Sequence, residues 1–124
     1  MKTLNAAIIG AGAIHRSHVN ALRLLPGVTL RALVDTDSVN GLQQAMAYNC
    51  RFYPNYREML LDNDIDVVHI CTPHFEHKNM ILAALAAGKH VFCEKPVGMN
   101  GGEVADIADA AASAPGLLGV CYQN

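Results

Sequence analysis

A hydrophobic run that ends in a glycine-rich turn constrains the fold of this chain more than any other feature. Residues 6–15 read AAIIGAGAIH, so Gly10 and Gly12 directly follow a segment with strand character. The next hydrophobic run, residues 28–34, ends at an acid, Asp35. A strand, a glycine turn, a helix and a second strand closed by an acid predict the βαβ unit that binds dinucleotides.

Each residue of this pattern has a chemical role in such a unit. Gly10 lets the chain turn sharply, and Gly12 has no Cβ to keep backbone N–H groups away from a pyrophosphate at the helix N-terminus. Asp35 can accept hydrogen bonds from the ribose hydroxyls. The third motif position holds His15 instead of glycine. This histidine either donates a hydrogen bond to the pyrophosphate or lies on the helix surface. A tight turn without a ligand is the alternative interpretation.

The composition limits the class of protein. A length of 124 residues predicts one domain, residues 1–124. The high content of hydrophobic residues, 52 %, and the low content of charged residues, 16 %, are typical of a sheet that is buried on both faces. A net charge of −2 without a basic cluster gives no argument for nucleic acid. No apolar run is long enough for a membrane span and no leader is recognisable, so a cytoplasmic protein is expected. The four cysteines have no C-x-x-C spacing, and we expect reduced thiols and no metal site.

Hydrophobic runs of strand length alternate with helical segments along the whole chain. The strands are predicted near residues 4–9, 28–34, 51–53, 66–71, 90–93 and 117–122. The helices are predicted near residues 13–25, 37–48, 56–61, 75–87 and 100–114. Asp37 or Ser38 is expected to cap the second of them, and Gly88 to be the C-cap of the fourth. This alternation predicts an α/β protein with a doubly wound parallel sheet, a Rossmann fold with strand order 3-2-1-4-5-6.

Several motifs resemble the N-terminal domain of the glucose–fructose oxidoreductase / inositol dehydrogenase / MocA family. The most specific is AGKHVFCEKP, residues 87–96, which matches the family's A-G-K-H-V-x-x-E-K-P segment. The other markers are Gly10-Ala11-Gly12-Ala13-Ile14 with His18, then Val34-Asp35, then Thr72-Pro73 with His77. The resemblance covers the whole chain. It implies an NAD(P)-dependent oxidoreductase that acts on a small sugar, polyol or related alcohol.

The resemblance also implies roles for individual residues. Lys95 is the expected catalytic lysine beside the nicotinamide and the reacting hydroxyl, and Glu94 is expected near the cofactor's ribose. Thr72 and Pro73 are expected to line the cofactor groove, which His77 and His18 help to shape. The expected cofactor-binding residues are Gly10, Gly12, Ala13, Ile14, Asp35, Thr72, Pro73, His77, Glu94 and Lys95.

Cofactor preference is predicted from charge. Asp35 occupies the place of a 2′-phosphate, Asp37 adds a second negative charge, and Thr36 stands where a phosphate-binding arginine would follow. We therefore expect NAD to bind more tightly than NADP, which some family members also accept.

The family's second, substrate-binding domain has no counterpart in these 124 residues. The sequence therefore predicts a truncated form of a larger dehydrogenase that binds dinucleotide without appreciable turnover. A stand-alone, non-catalytic NAD-binding sensor or interaction module is the alternative. Without the second domain, apolar surface is expected along the sixth strand, and this surface favours a homo-oligomer.

Overall fold

The computed structural model describes residues 3–10, 15–72, 76–94 and 101–121, with the backbone alone at residues 15, 17, 94, 120 and 121. Within these ranges six strands alternate with five helices. The strands are β1 (Leu4–Ile9), β2 (Val28–Val34), β3 (Arg51–Tyr53), β4 (Val67–Ile70), β5 (His90–Glu94) and β6 (Leu118–Cys121). The helices are α1 (His15–Leu24), α2 (Ser38–Tyr48), α3 (Tyr56–Leu60), α4 (His77–Ala86) and α5 (Gly101–Ser113).

The strands form one sheet in the order β3-β2-β1-β4-β5-β6, and every neighbouring pair is parallel. The predicted fold class and strand order are thus confirmed. β1 lies at the centre, where its last four residues, 6–9, are at most 2 % exposed. Because all strands run the same way, their carboxyl ends lie along a single edge of the sheet, where doubly wound folds bind ligands.

Helices cover the sheet on both faces, as right-handed crossovers require. The core on one face joins alternate strand residues to α3, α4 and α5: Ala7, Ile9, Val34, Val68, Ile70, Met59, Ile81, Leu85 and Ile107 are among its buried members. The core on the other face joins the intervening strand residues to α1 and α2: Ala6, Ile8, Leu33, Val19, Leu22 and Ala45 are among its members. This two-sided burial explains why the strands read as nearly continuous apolar runs.

The helix ends follow their local sequence closely. The side chain of Asp37 accepts a hydrogen bond from the backbone N–H of Asn40 at 3.1 Å, so Asp37, one of the two expected candidates, caps α2. The prediction placed Gly88 at the C-cap of α4, but the C-cap is Ala87. Gly88 is the next residue and has a φ of +79°, because the left-handed conformation that ends such a helix falls one position later.

Lys89 is a buried cation in the AGKHV segment, only 6 % exposed. Its Nζ donates to the backbone carbonyls of Asp62, at 2.9 Å, and Ile65, at 2.7 Å. These bonds satisfy most of the ammonium's donors inside the protein and fix the loop between α3 and β4 to the start of β5. The lysine of this segment therefore has a structural role.

An apolar groove of about 710 Å³ lies on the α1 side of β4, β5 and β6. Leu25, Phe92, Leu117 and Gly119 are among the residues that line it, and Leu117 is 75 % exposed. The apolar surface expected beside the sixth strand is therefore present, and self-association stays a prediction.

Two histidines meet at the bottom of this groove. The Nδ1 atoms of His18, on α1, and His69, on β4, lie 3.0 Å apart, and both rings contact Phe92 edge-on or tilted. Burial first, and the neighbouring His18 second, lower the pKa of His69 from 6.5 to about 4. The imidazole of His69 is therefore neutral at neutral pH.

No helix within the described ranges is long and apolar enough to cross a membrane. Cys50, Cys71 and Cys93 form no disulfide. In the same part of the chain, no three potential metal ligands come together.

The depressed pKa of His69 predicts a loss of stability in mild acid. The unfolded chain binds a proton near pH 6.5 and the folded chain only near pH 4, so stability rises with pH across this window. We expect His69 to account for a fall of about 2 kcal/mol in the free energy of unfolding between pH 7.5 and pH 5. Urea unfolding at both pH values measures it. In His69→Gln the free energy of unfolding should fall less over the same pH interval, by the amount assigned to His69. An equal pH dependence in both proteins would contradict the assignment.

Candidate functional site

A cleft of about 620 Å³ lies at the carboxyl edge of the sheet. The ends of β1, β2 and β4 form its floor, where it is lined by Gly10, Asp35 and Thr72. One side is the turn from β3 into α3, and the other is the start of α4. Its volume lies within the range of small-molecule sites. The fold thus brings together three of the predicted cofactor residues from distant parts of the sequence.

Gly10 occupies a position that no other residue would fill without strain. Its φ is +100°, and a Cβ built on it would lie 3.0 Å from the carbonyl oxygen of Cys71 at the end of β4. Its N–H donates to the carbonyl of Val34 at 2.7 Å. The turn out of β1 is therefore fixed against the ends of both neighbouring strands.

The Asp35 carboxylate lies at the end of β2 and is held by local hydrogen bonds. Its Oδ1 accepts from the backbone N–H of Asp37 at 3.0 Å, and its own N–H donates to the carbonyl of Tyr53 at 3.3 Å. Asp37 in turn caps α2, where the helix dipole stabilises its negative charge. The two acids that were predicted to repel a 2′-phosphate thus differ in function, since Asp37 is committed to the helix.

Gly41, on α2, was not singled out by the sequence analysis. A Cβ at this position would overlap a ring carbon of Phe52 and lie 2.9 Å from Cβ of Asp35. The missing side chain lets α2 approach the strand end that carries the acid. An unexplained glycine inside a helical segment was the available signal.

Thr72 lines the cleft just beyond β4, and His77 packs behind it. The Thr72 hydroxyl donates to Sδ of Met80 at 3.3 Å, and Nε2 of His77 lies 2.9 Å from the Thr72 carbonyl. A carbonyl oxygen only accepts, so this nitrogen of His77 carries a proton. His77 is fully buried and is not among the described residues that line the cleft, so its expected role in shaping the groove stays a prediction.

Other predicted site residues lie outside the described residues: Gly12, Ala13, Ile14, Pro73 and Lys95. Glu94 ends β5, where its backbone pairs with Cys121, and its side chain is not described. The side chain of His15 is not described either. Their proposed roles stay predictions.

The far side of the cleft carries residues that the sequence analysis did not identify. Asn55 caps α3 by accepting from the N–H of Arg57 at 2.7 Å, and the Arg57 guanidinium lies 5.1 Å from the ring centroid of Tyr56. Opposite them stands Glu76. The sequence shows Pro54-Asn55 before a short helical segment, but it does not show that this turn and Asp35 line the same cleft.

An ionic cluster fixes the edge strand behind this wall. The Asp62 carboxylate accepts from Arg51 at 2.6 Å and from the Tyr53 hydroxyl at 2.7 Å. Burial works to raise the pKa of Asp62, but hydrogen bonds from Tyr53, the Asp64 N–H and Arg51 outweigh it and lower the pKa below its usual value. The same bond to Asp62 raises the pKa of Tyr53. β3 is thereby tied to the loop before β4, and the residues that follow β3 are held in place.

Comparisons with known proteins agree with this geometry. Residues 4–122 match the model of a family described as an oxidoreductase family with an NAD-binding Rossmann fold. Trans-1,2-dihydrobenzene-1,2-diol dehydrogenase of Sus scrofa is 35 % identical over 113 residues, which are 89 % of this chain and 34 % of that protein.

Solved structures resemble the fold along nearly its whole length. The crystal structure of myo-inositol 2-dehydrogenase from Lactobacillus plantarum has a TM-score of 0.89 and 33 % identity, and covers 97 % of this chain and 36 % of its own. GenD2 from gentamicin A biosynthesis, in complex with NAD, has a TM-score of 0.91 and 29 % identity, and covers 97 % of this chain and 34 % of its own. This chain therefore spans about a third of the length of these relatives.

Substitution of Gly10 tests the close packing at the base of the cleft. Gly27→Ala is the matched control, because Gly27 also has a positive φ, +80°, but nothing within 4 Å of a built Cβ. We expect Gly27→Ala to lower the free energy of unfolding by about 1–2 kcal/mol through backbone strain alone. Gly10→Ala should cost at least about 1 kcal/mol more, because its methyl group also meets the Cys71 carbonyl. Equal losses in urea unfolding would show that the contact is unimportant.

Proposed function

Because this chain belongs to the oxidoreductase family with an NAD-binding Rossmann fold, we propose that it holds NAD in a dehydrogenase of sugars, polyols or related alcohols. The observation that carries the proposal is the cleft in which Asp35 and Gly10 share one floor. A carboxylate accepts hydrogen bonds from two ribose hydroxyls, and the turn that begins at Gly10 leads to α1, whose N-terminus favours phosphates.

The charges around the cleft support NAD over NADP. Asp35, Asp37 and Glu76 contribute three carboxylates to the lining, and Arg57 is its one basic side chain among the described residues. The exposed Thr36 follows Asp35 without offering a positive charge. A phosphate on the ribose 2′ position would therefore meet like charges in a partly buried place.

The reaction follows from the names of the relatives and from the resemblance. The relatives are called inositol and dihydrodiol dehydrogenases, so their names point to substrates that carry hydroxyl groups on adjacent ring carbons. In such an oxidation NAD accepts a hydride from the carbon, and a base accepts the proton of the hydroxyl. We assign the base to Lys95, which follows Glu94 at the carboxyl edge of β5.

We place the protein in the cytoplasm. Cys50, Cys71 and Cys93 are not disulfide-bonded, and a reducing compartment maintains thiols in that state. Expression with a fluorescent fusion, compared with markers of other compartments, tests this assignment.

Cofactor binding is tested at the two acids. Asp35→Ala should weaken NAD about tenfold to a hundredfold, because it removes charge-assisted hydrogen bonds to the ribose. Asp37→Asn is the matched control: it removes one charge but keeps a good helix cap, so NAD affinity should change by less than about threefold. Calorimetric titrations with NAD and NADP measure both effects. The unsubstituted chain should bind NADP about tenfold more weakly, and tight NADP binding would contradict the charge argument.

Hydride transfer is tested by turnover in the protein that carries this domain together with its substrate-binding part. Lys95→Met should abolish polyol-dependent NADH formation, followed by nicotinamide absorbance, and a parallel NAD titration separates the loss of turnover from any loss of cofactor binding. Lys78→Met is the control, since Lys78 pairs with Asp106 of α5 at 3.0 Å and is not among the described residues that line the cleft. Turnover that survives in Lys95→Met would remove Lys95 from the mechanism. NAD binding without any turnover on polyols would favour the non-catalytic module.

A further inference from the structure

The cleft continues beyond Asp35, and this remote part has its own chemistry. The following inference rests on the proposed NAD site. If the ribose is held at Asp35 and the phosphates lie toward the turn at Gly10, the base of the nucleotide extends to the remaining space. That space lies between the turn into α3, residues 54–57, and the start of α4.

The walls of this space suit a flat aromatic ring. Tyr56 is half-buried and packs against the core, and its ring carries the Arg57 guanidinium at 5.1 Å. Met80, 7 % exposed, also lines the cleft and accepts a hydrogen bond from the Thr72 hydroxyl. Stacked planes and a polarisable thioether bind rings well but do not distinguish one purine from another. Discrimination among bases requires a polar group at the edge of the ring.

Glu76 is the polar group in the right place. It lines the cleft at the N-cap position of α4, yet its side chain makes no capping hydrogen bond. It is half-buried, and nowhere in the described part of the chain does its carboxylate form an ion pair or a hydrogen bond. A carboxylate that lines a cleft and has no protein donor is free to accept a hydrogen bond from a ligand bound there.

We propose that Glu76 recognises the adenine base of the dinucleotide by accepting a hydrogen bond from its exocyclic amino group. A carboxylate only accepts, and the amino group of adenine only donates, so the two match. Hypoxanthine carries a carbonyl oxygen at the same position, and this oxygen would face the carboxylate as a second acceptor. Glu76 is thus a specificity-determining residue for the base, separate from the choice between NAD and NADP at Asp35.

The test compares NAD with nicotinamide hypoxanthine dinucleotide by calorimetric titration. The unsubstituted chain should bind NAD roughly tenfold more tightly, since a site built to bond an N–H group rejects the analogue that lacks it. In Glu76→Gln the ratio of the affinity for NAD to the affinity for the hypoxanthine analogue should fall at least about fivefold, because the amide both donates and accepts. Glu58→Gln removes an exposed acid of α3 that does not line the cleft, and it should leave the ratio unchanged. Equal melting temperatures of the variants establish that folding is intact.

The outcomes separate this inference from the proposed function. An unchanged ratio in a folded Glu76→Gln that still binds NAD would overturn the role of Glu76 while leaving the NAD site in place. Equal affinities of the unsubstituted chain for NAD and for the hypoxanthine analogue would likewise overturn the role of Glu76. Failure of the unsubstituted chain to bind either dinucleotide would instead overturn the proposed function.

Discussion

The close approach of Gly10 to the end of β4 is the constraint on which the candidate site depends. Without a Cβ at Gly10, the turn out of the central strand passes against the Cys71 carbonyl while its N–H bonds to Val34. The ends of β1, β2 and β4 are thereby held together; Asp35 directly follows β2, and Thr72 lies two residues after β4. A bulkier turn would separate these ends and widen the cleft floor. Because the sheet is buried on both faces, such a shift would also disturb the packing of the helices.

Much of the fold could be predicted from the sequence because local and long-range signals agree in it. Apolar runs of strand length, separated by helical segments, leave few topologies when crossovers are right-handed, and the predicted strand order is the observed one. The predicted cap of α2 at Asp37 is present as well. The glycine turn and the acid predicted the floor of the cleft. The helix ends were less certain, and Gly88 lies one residue beyond the cap it was expected to form.

The remaining features depend on contacts between residues that are far apart in the chain. Lys89 bonds to carbonyls 24 and 27 residues away, so the sequence shows a lysine in a family segment but not its burial. The His18–His69 pair joins positions 51 residues apart. Glu76 and Arg57 face one cleft only because separate crossovers end at the same edge of the sheet. No periodicity or spacing reports such proximity.

The contact between Gly41 and Asp35 has a consequence for the evolution of cofactor use. Cβ of Asp35 lies so close to α2 that a side chain at position 41 would push the helix outward. Thr36 is exposed on the rim of the same cleft, and a longer basic side chain there would extend into solvent without moving the backbone. A basic residue at position 36 is therefore sterically open, whereas position 41 admits no side chain while α2 stays in place. In this architecture a packed helix, as much as the chemistry of the acid, restricts which substitutions are accessible.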